Sequence, residues 1–284
     1  MGHMKDIVAA WIEDLQQALG NDPVRVSEVR IGVFYTAVRL SSGDVGVAFT
    51  PRDLDDTVCC PRSAAVAPPA GRMAGQEAWL LANYALSPVP LRRAVGVATL
   101  NALSTFAMTR CDLPQGRSLP RMDALNAVDI QSEDRVAMVG AFVPFIKRLK
   151  GKVAALWVVD KHPHALKAEE RPLWRPPEQA TAVLAQANVV IITGSALVEG
   201  GLDALLTAAQ HARQVVLAGP TASPWPPTFL ARGVSVLGGI RVLDGEKLLQ
   251  VVSEGGSGYF FEEFAEKVCI VRESDGGRIA LSGE

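Results

Sequence analysis

Small and polar residues follow four apolar runs in the second half of the chain, and residues of these types could bind a metal ion or an anion. The runs span residues 136–140, 154–160, 189–195 and 214–221. Each is apolar over most of its length, as in strands that are buried on both faces of a parallel sheet. Ligands of open α/β sheets bind beyond the carboxyl ends of the strands. The sequence therefore predicts a ligand site at that edge.

Metal binding is indicated by the segment that follows the second run, which reads Asp160-Lys-His-Pro-His164. A carboxylate with two imidazoles is a plausible ligand set for a divalent transition metal. Glu254, on a glycine-rich segment after a predicted helix, adds another acid. The alternatives are a solvated His-x-His loop and a helix C-cap at Glu254. The candidate metal ligands are thus Asp160, His162, His164 and Glu254.

A nucleotide-like ligand is indicated by a different reading of the same sheet edge. Gly140 and Phe142 follow the first run, and Asp160 comes about twenty residues later, where Rossmann folds place an acid that binds ribose. Only one glycine of the G-x-G-x-x-G fingerprint is present, which argues against NAD and less strongly against S-adenosylmethionine. In this reading Asp160 holds the ribose and Phe142 packs near the base. The alternative is a purely structural turn at Gly140.

Hydroxyl groups and backbone amides at the other two strand ends could bind phosphate, carboxylate or another oxyanion. The residues concerned are Thr193, Gly194, Ser195, Gly219 and Thr221. In the alternative reading the glycines allow turns and the hydroxyls cap the next helix. No Ser-His-Asp order, Walker loop or His-Glu-x-x-His motif is present, which disfavours hydrolysis by a standard nucleophile or zinc mechanism.

The elements before residue 119 predict a smaller α+β domain over residues 4–118. An amphipathic helix is expected over 4–19, followed by strands over 24–40 and 45–49. A Pro-rich connector over 50–75 then leads to helices over 75–86 and 91–108. Strand and helix patterns alternate from about residue 121 to 271, which predicts a doubly wound, Rossmann-like parallel sheet of about six strands over 119–284. The fold class is α/β, with two domains that each have a core or, alternatively, one larger domain.

Composition narrows the class of protein. With a net charge of -2 and 20% charged residues, the chain has no overall electrostatic drive toward nucleic acid or an anionic membrane. No segment approaches the roughly 18 apolar residues of a spanning helix, so we expect a soluble, cytoplasmic protein. The adjacent pair Cys59 and Cys60 is poorly placed to share one metal ion. The helix over 94–107 is rich in small residues and could mediate homo-oligomer formation or form the core of its own domain.

Several motifs, taken in order, resemble a known family over nearly the whole chain. The DUF364 family of heavy-metal chelation proteins has similar motifs at Thr193-Gly-Ser-Ala-Leu-Val-Glu-Gly-Gly-Leu-Asp203, Gly219-Pro-Thr-Ala-Ser-Pro-Trp225, Gly233-Val-Ser-Val-Leu-Gly-Gly239 and Glu254-Gly-Gly256. Its companion domain, DUF4213, resembles the chain at Gly32-Val-Phe-Tyr-Thr-Ala-Val38 and Ala94-Val-Gly-Val-Ala-Thr-Leu-Asn-Ala102.

The resemblance implies an N-terminal domain like that of enolase, a Rossmann-like C-terminal domain and a ligand site in the cleft between them. The chain departs from the family at Ala196 and Glu199, where Thr and Asn are usual, and at Asp160, where Glu is frequent. Our first hypothesis is a protein that binds a metal ion or small metal chelate in this cleft. The second is an enzyme that uses S-adenosylmethionine or a nucleotide on a small-molecule substrate.

Overall fold

A computed structural model describes residues 6–20, 23–52 and 65–272 of the chain. Cys59, Cys60 and the centre of the predicted connector lie outside these ranges. The helices are α1 Ile7–Leu19, α2 Ala78–Ala82, α3 Pro90–Met108, α4 Val143–Leu149, α5 Ala180–Leu184, α6 Ala196–Glu199, α7 Leu202–Ala208, α8 Pro226–Ala231 and α9 Gly245–Ser253. The strands are β1 Val26–Ile31, β2 Tyr35–Leu40, β3 Val45–Phe49, β4 Gly116–Pro120, β5 Arg135–Val139, β6 Ala155–Val159, β7 Trp174–Arg175, β8 Val189–Thr193, β9 Gln214–Ala218, β10 Val236–Val242 and β11 Ala265–Arg272.

The N-terminal sheet is antiparallel, in the order β1-β2-β3. The predicted single strand over 24–40 is wrong, because the chain reverses between β1 and β2. Gly32 lies at this reversal, and its N–H donates to the Tyr35 carbonyl at 2.9 Å. A Cβ on Gly32 would lie 2.1 Å from the Val252 carbonyl oxygen. This close approach explains why glycine occupies the position.

Within the described ranges the large sheet has eight strands, in the order β4-β11-β10-β9-β8-β5-β6-β7. The strands from β10 to β7 are parallel, whereas β11 is antiparallel to both β10 and β4. The α/β class with a smaller N-terminal α+β part is therefore confirmed. The sequence did not predict β4 or β7. Because β4 pairs with β11, residues 116–118 join the large sheet rather than the N-terminal part.

Helices cover both faces of the large sheet, and one face also receives the N-terminal elements. The hydrophobic cluster on that face joins Trp11 and Leu100 to Val190, Ile192 and Leu217 of the parallel strands. On the opposite face, the alternate residues of the same strands pack against α4, in a cluster that includes Met138, Ile146, Ile191 and Val216. A continuous core thus spans the two regions that the sequence separates.

The small-residue helix α3 lies inside this core. Val95, Val97, Leu100 and Leu103 are fully buried within the chain. A Cβ on Gly96 would lie 1.9 Å from the Ala85 backbone nitrogen, so the helix packs very closely on the preceding 3₁₀ turn. Of the two predicted roles for this helix, the structure shows the intramolecular one. Homo-oligomer formation stays a prediction, but the buried side chains of α3 are not accessible to mediate it.

Among the helices in the described ranges, none is both long and apolar enough to cross a bilayer.

Candidate ligand site at the interdomain cavity

The strand order reverses between β5 and β8, where the loops carrying Gly140 and Thr193 meet. Gly140 has a φ of 90°, and a Cβ there would lie 3.0 Å from the Thr193 Cβ. The positive φ and the close contact both favour glycine. The contact is made with a side chain of the protein, which supports the structural reading of Gly140.

Asp160 holds the backbone at the same edge. One carboxylate oxygen accepts the Ala141 N–H at 3.0 Å, and the other accepts the His162 N–H at 2.9 Å. The Asp160 carbonyl accepts the Trp174 indole N–H at 2.9 Å. Both carboxylate oxygens therefore already bind backbone amides. Asp160 fixes the loops after β5 and β6 relative to each other.

The predicted metal ligands do not form a metal site in this structure. Asp160, His162, His164 and Glu254 all lie in the described part of the chain, which contains no group of three or more His, Cys, Asp and Glu side chains placed to hold a metal ion. The two histidines are exposed around a short 3₁₀ turn, Pro163–Ala165. The Glu254 carboxylate, after α9, accepts a hydrogen bond from the Gln250 side chain at 2.9 Å. Spacing along the sequence placed these groups on a common edge, but their side chains do not converge.

The residues after β8 form a turn that is held by its own side chains. The Ser195 N–H donates to Thr193 Oγ1 at 3.3 Å, and Ser195 Oγ donates to Glu199 at 3.4 Å. Glu199 also pairs with Lys161, at 2.6 Å. A Cβ on Gly194 would lie 2.7 Å from the Ala222 nitrogen. These contacts support the turn reading of Thr193, Gly194 and Ser195.

Thr221 is 3% exposed and links the two parts of the chain. Its Oγ1 accepts the Phe49 N–H at 2.9 Å, and its carbonyl accepts the Asn101 side-chain N–H at 2.9 Å. The same Asn101 amide donates to the Val47 carbonyl at 2.8 Å. The sequence indicated Thr221 as a hydroxyl that could bind an oxyanion, whereas in the structure this hydroxyl accepts a hydrogen bond from the end of β3. Asn101 was missed, because a lone Asn in a helix gives no signal of such a contact.

A cavity of about 570 Å³ lies between this hairpin and the carboxyl edge of β5, β9 and β10. Of the predicted site residues, Phe142 and Gly219 line it. The Phe142 ring stacks on Phe145 with 5.2 Å between ring centroids, and Tyr35 contacts Phe261 at 5.0 Å. Both regions contribute aromatic rings to the wall, from Phe34, Tyr35, Phe49, Phe142, Phe145, Tyr259 and Phe261. The cavity can therefore enclose a flat organic ligand.

Four charged side chains are among the described residues of this lining: Arg52, Asp123, Glu262 and Lys267. Lys267 pairs with Asp123 at 3.0 Å. The Arg52 guanidinium lies over the Phe34 ring, 4.7 Å from its centroid. Burial raises the pKa of Tyr35 to about 12, with Arg52 lowering it and Tyr259 raising it by smaller amounts. Tyr35, Arg52 and Lys267 were missed, since they come from separate segments that only the tertiary fold brings together.

The architecture defines a Rossmann-like α/β protein with a smaller α+β part and a ligand-sized cavity between the two. The chain belongs to the DUF364 family, whose model, described as "Putative heavy-metal chelation", matches residues 123–271. The DUF4213 model, with the same description, matches residues 12–104.

Solved structures share this fold. A DUF364 protein of unknown function from Pyrococcus horikoshii superposes with a TM-score of 0.75 at 21% identity, over 94% of this chain and 100% of the other. A DUF364 protein of unknown function from Desulfitobacterium hafniense gives 0.69 at 17% identity, over 93% and 99%. An uncharacterized protein of Methanocaldococcus jannaschii is 26% identical over 178 residues, which span 62% of this chain and 65% of that protein.

Proposed function

We propose that the protein binds a small metal chelate, that is, a metal ion already held by an organic ligand, in the cavity between its two regions. The observation that carries the proposal is the aromatic cavity of about 570 Å³, which Phe142 and Gly219 line. Sites for organic ligands have volumes of roughly 300–1,000 Å³, with mostly apolar walls and a few polar groups. The cavity has the size and lining of such a site.

The donor groups in the described part of the chain favour a chelate over a bare ion. A divalent transition metal bound by protein side chains alone needs about three or four N, O or S ligands. In the described ranges no such group of His, Cys, Asp and Glu occurs. A chelate brings its own donor atoms, so the protein has to supply only shape, apolar contact and charge. The proposal thus agrees with both the family description and the side chains that line the cavity.

The second hypothesis, an enzyme for S-adenosylmethionine or a nucleotide, gains less from the geometry. Phe142 lines the cavity, as that hypothesis expects for a residue near the base. Asp160, its proposed ribose ligand, is absent from the cavity lining, and each of its carboxylate oxygens accepts a backbone N–H. The adenosyl ligand is therefore kept as a competing ligand in the test.

The test is isothermal titration calorimetry of metal-stripped protein. The ligands are Ni²⁺, Co²⁺ and Zn²⁺ salts, the same ions bound to 1,10-phenanthroline or pyridine-2,6-dicarboxylate, and S-adenosylmethionine. We expect the metal complex of at least one of the two chelators to bind at one complex per chain, and the bare ions to bind much more weakly. Tighter binding of the bare ions, or binding of S-adenosylmethionine alone, would contradict the proposal.

A pair of matched variants locates the binding site. Phe142→Ala removes a ring from the cavity wall and is expected to weaken chelate binding at least about tenfold. Phe260→Ala removes a ring that is 65% exposed and outside the lining, and it should leave the affinity unchanged. Circular dichroism of both variants checks that the fold is kept. Equal effects of the two changes would place the ligand elsewhere.

A further inference from the structure

Arg52 differs from the other cation that lines the cavity. Lys267 is paired with Asp123 at 3.0 Å, so its ammonium already has a carboxylate partner. Arg52 makes no ion pair with a carboxylate within the described ranges. Its guanidinium packs on the Phe34 ring at 4.7 Å. A guanidinium held by one face keeps its N–H groups free at the edge, where they can bind the two oxygens of a carboxylate.

Two phenols accompany this guanidinium. Tyr35 and Tyr259 line the same cavity, and both Arg52 and Tyr259 lie close enough to Tyr35 to shift its pKa. The Tyr35 hydroxyl has no hydrogen-bond partner among the described residues. The pKa of Tyr35, raised by burial to about 12, lies well above neutral pH, so the hydroxyl is protonated there and can donate a hydrogen bond. The described part of the cavity lining therefore offers two hydroxyl donors and one cation that has no carboxylate partner there.

We propose that Arg52, Tyr35 and Tyr259 form an oxyanion subsite of the cavity, which binds a carboxylate of an aromatic or otherwise flat organic ligand. This inference rests on the proposed ligand cavity and specifies the chemistry of its ligand: the organic part is anionic. The surrounding rings, among them Phe34 and Phe142, would contact the faces of the ligand while the subsite binds its edge. Carboxylates are hard oxygen ligands that many metal ions accept. A chelator with carboxylates could therefore both hold a metal ion and bind to the oxyanion subsite.

Two carboxylates are among the described residues of the lining: Asp123 is paired with Lys267, whereas Glu262 would repel an anion and supplies a control. Glu262 is exposed, lines the cavity and has no ion-pair partner in the described part of the chain. Arg52→Gln and Glu262→Gln each remove one charge of opposite sign from the same cavity. If only the net charge of the cavity matters, the two changes should shift the affinity for an anion by similar amounts in opposite directions. A direct contact with Arg52 predicts a larger effect of Arg52→Gln.

The experiment uses metal-free pyridine-2,6-dicarboxylate as the probe and pyridine-2,6-dimethanol as its uncharged counterpart, titrated by calorimetry. We expect the dicarboxylate to bind and the dimethanol to bind at least about tenfold more weakly. Arg52→Gln should weaken the dicarboxylate at least about tenfold, and Tyr35→Phe roughly threefold to tenfold. Glu262→Gln removes a repelling exposed charge and should raise its affinity, by less than about threefold.

Equal affinity of the two probes, or an unchanged affinity in Arg52→Gln, would overturn the oxyanion subsite. Tighter binding of phenyl phosphate than of the dicarboxylate would overturn the assignment to a carboxylate. The phenanthroline complex, which is cationic, separates this inference from the proposed function. If that complex binds and Arg52→Gln leaves the dicarboxylate unaffected, only the subsite fails. If the metal-free dicarboxylate binds through Arg52 while no complex of either chelator binds, only metal chelate binding fails.

Discussion

Asn101 and Thr221 are 120 positions apart in the chain, and the Asn101 side-chain N–H donates to the Thr221 carbonyl at 2.9 Å. The other N–H of the amide binds Val47, and Thr221 in turn accepts the Phe49 N–H. One buried amide thus holds a helix, a hairpin strand and a strand-end loop together. Phe49, which donates to Thr221, and Gly219, two residues before Thr221, both line the cavity, so the shape of the cavity depends on these bonds.

Asn101→Ala is expected to lower the free energy of unfolding by about 2–4 kcal/mol, because two buried carbonyls lose their donor. Urea denaturation followed by circular dichroism measures the change. Thr105→Ala on the same helix is the control, since its hydroxyl bonds only the Asn101 carbonyl one turn earlier. We expect a change below about 1 kcal/mol for that control. Similar values for the two variants would contradict the role of Asn101.

Asp160→Asn should lower the free energy of unfolding by about 1–2 kcal/mol, because the amide can accept only one of the two backbone N–H bonds. Chelate binding should persist, since Asp160 is outside the cavity lining. The control is the double change of His162 and His164 to Ala, which removes exposed rings and should alter neither quantity. Loss of bound metal in either variant would show that these residues are metal ligands after all.

Gly96→Ala is expected to destabilise the protein by at least about 3 kcal/mol, although alanine is the better helix former. The reason is that the new Cβ would lie 1.9 Å from the Ala85 backbone nitrogen. Gly116→Ala is the matched control, because its Cβ would first meet the Ile270 side chain at 3.1 Å, and a side chain can move. The melting temperatures of the two variants measure the difference. A well-tolerated Gly96→Ala would mean that α3 can shift away from the 3₁₀ turn.

Stability should fall as the pH rises from about 9 to 12. Burial raises the pKa of Tyr35 from 10.0 to about 12 and that of Cys269 from 9.0 to about 12. The folded state therefore keeps protons that the unfolded chain releases, and the stabilisation that is complete below pH 9 is lost toward pH 12. Urea denaturation between pH 8 and 11 measures the slope. The double variant Tyr35→Phe, Cys269→Ala should show a shallower fall, and an identical slope would contradict the assignment.

The sequence predicted the buried parallel strands well, because a strand such as β8 is a local apolar run between turn residues. It missed β4 and β7, since a short polar strand exists only through its pairing with β11 or β6. The same limit applies to the cavity. Phe142 and Gly219 follow strand ends and could be predicted, whereas Arg52 and Lys267 are brought to one cavity by the packing of distant segments.

The continuous hydrophobic cluster that joins Trp11 and Leu100 to Val190 and Leu217 has a consequence for the history of this architecture. The N-terminal region and the sheet are not independent modules joined by a linker, because each forms part of the interior of the other. Recombination that gave either region a new partner would leave a large apolar face in water. The two regions are therefore expected to be inherited as a pair, and the cavity between them with the pair.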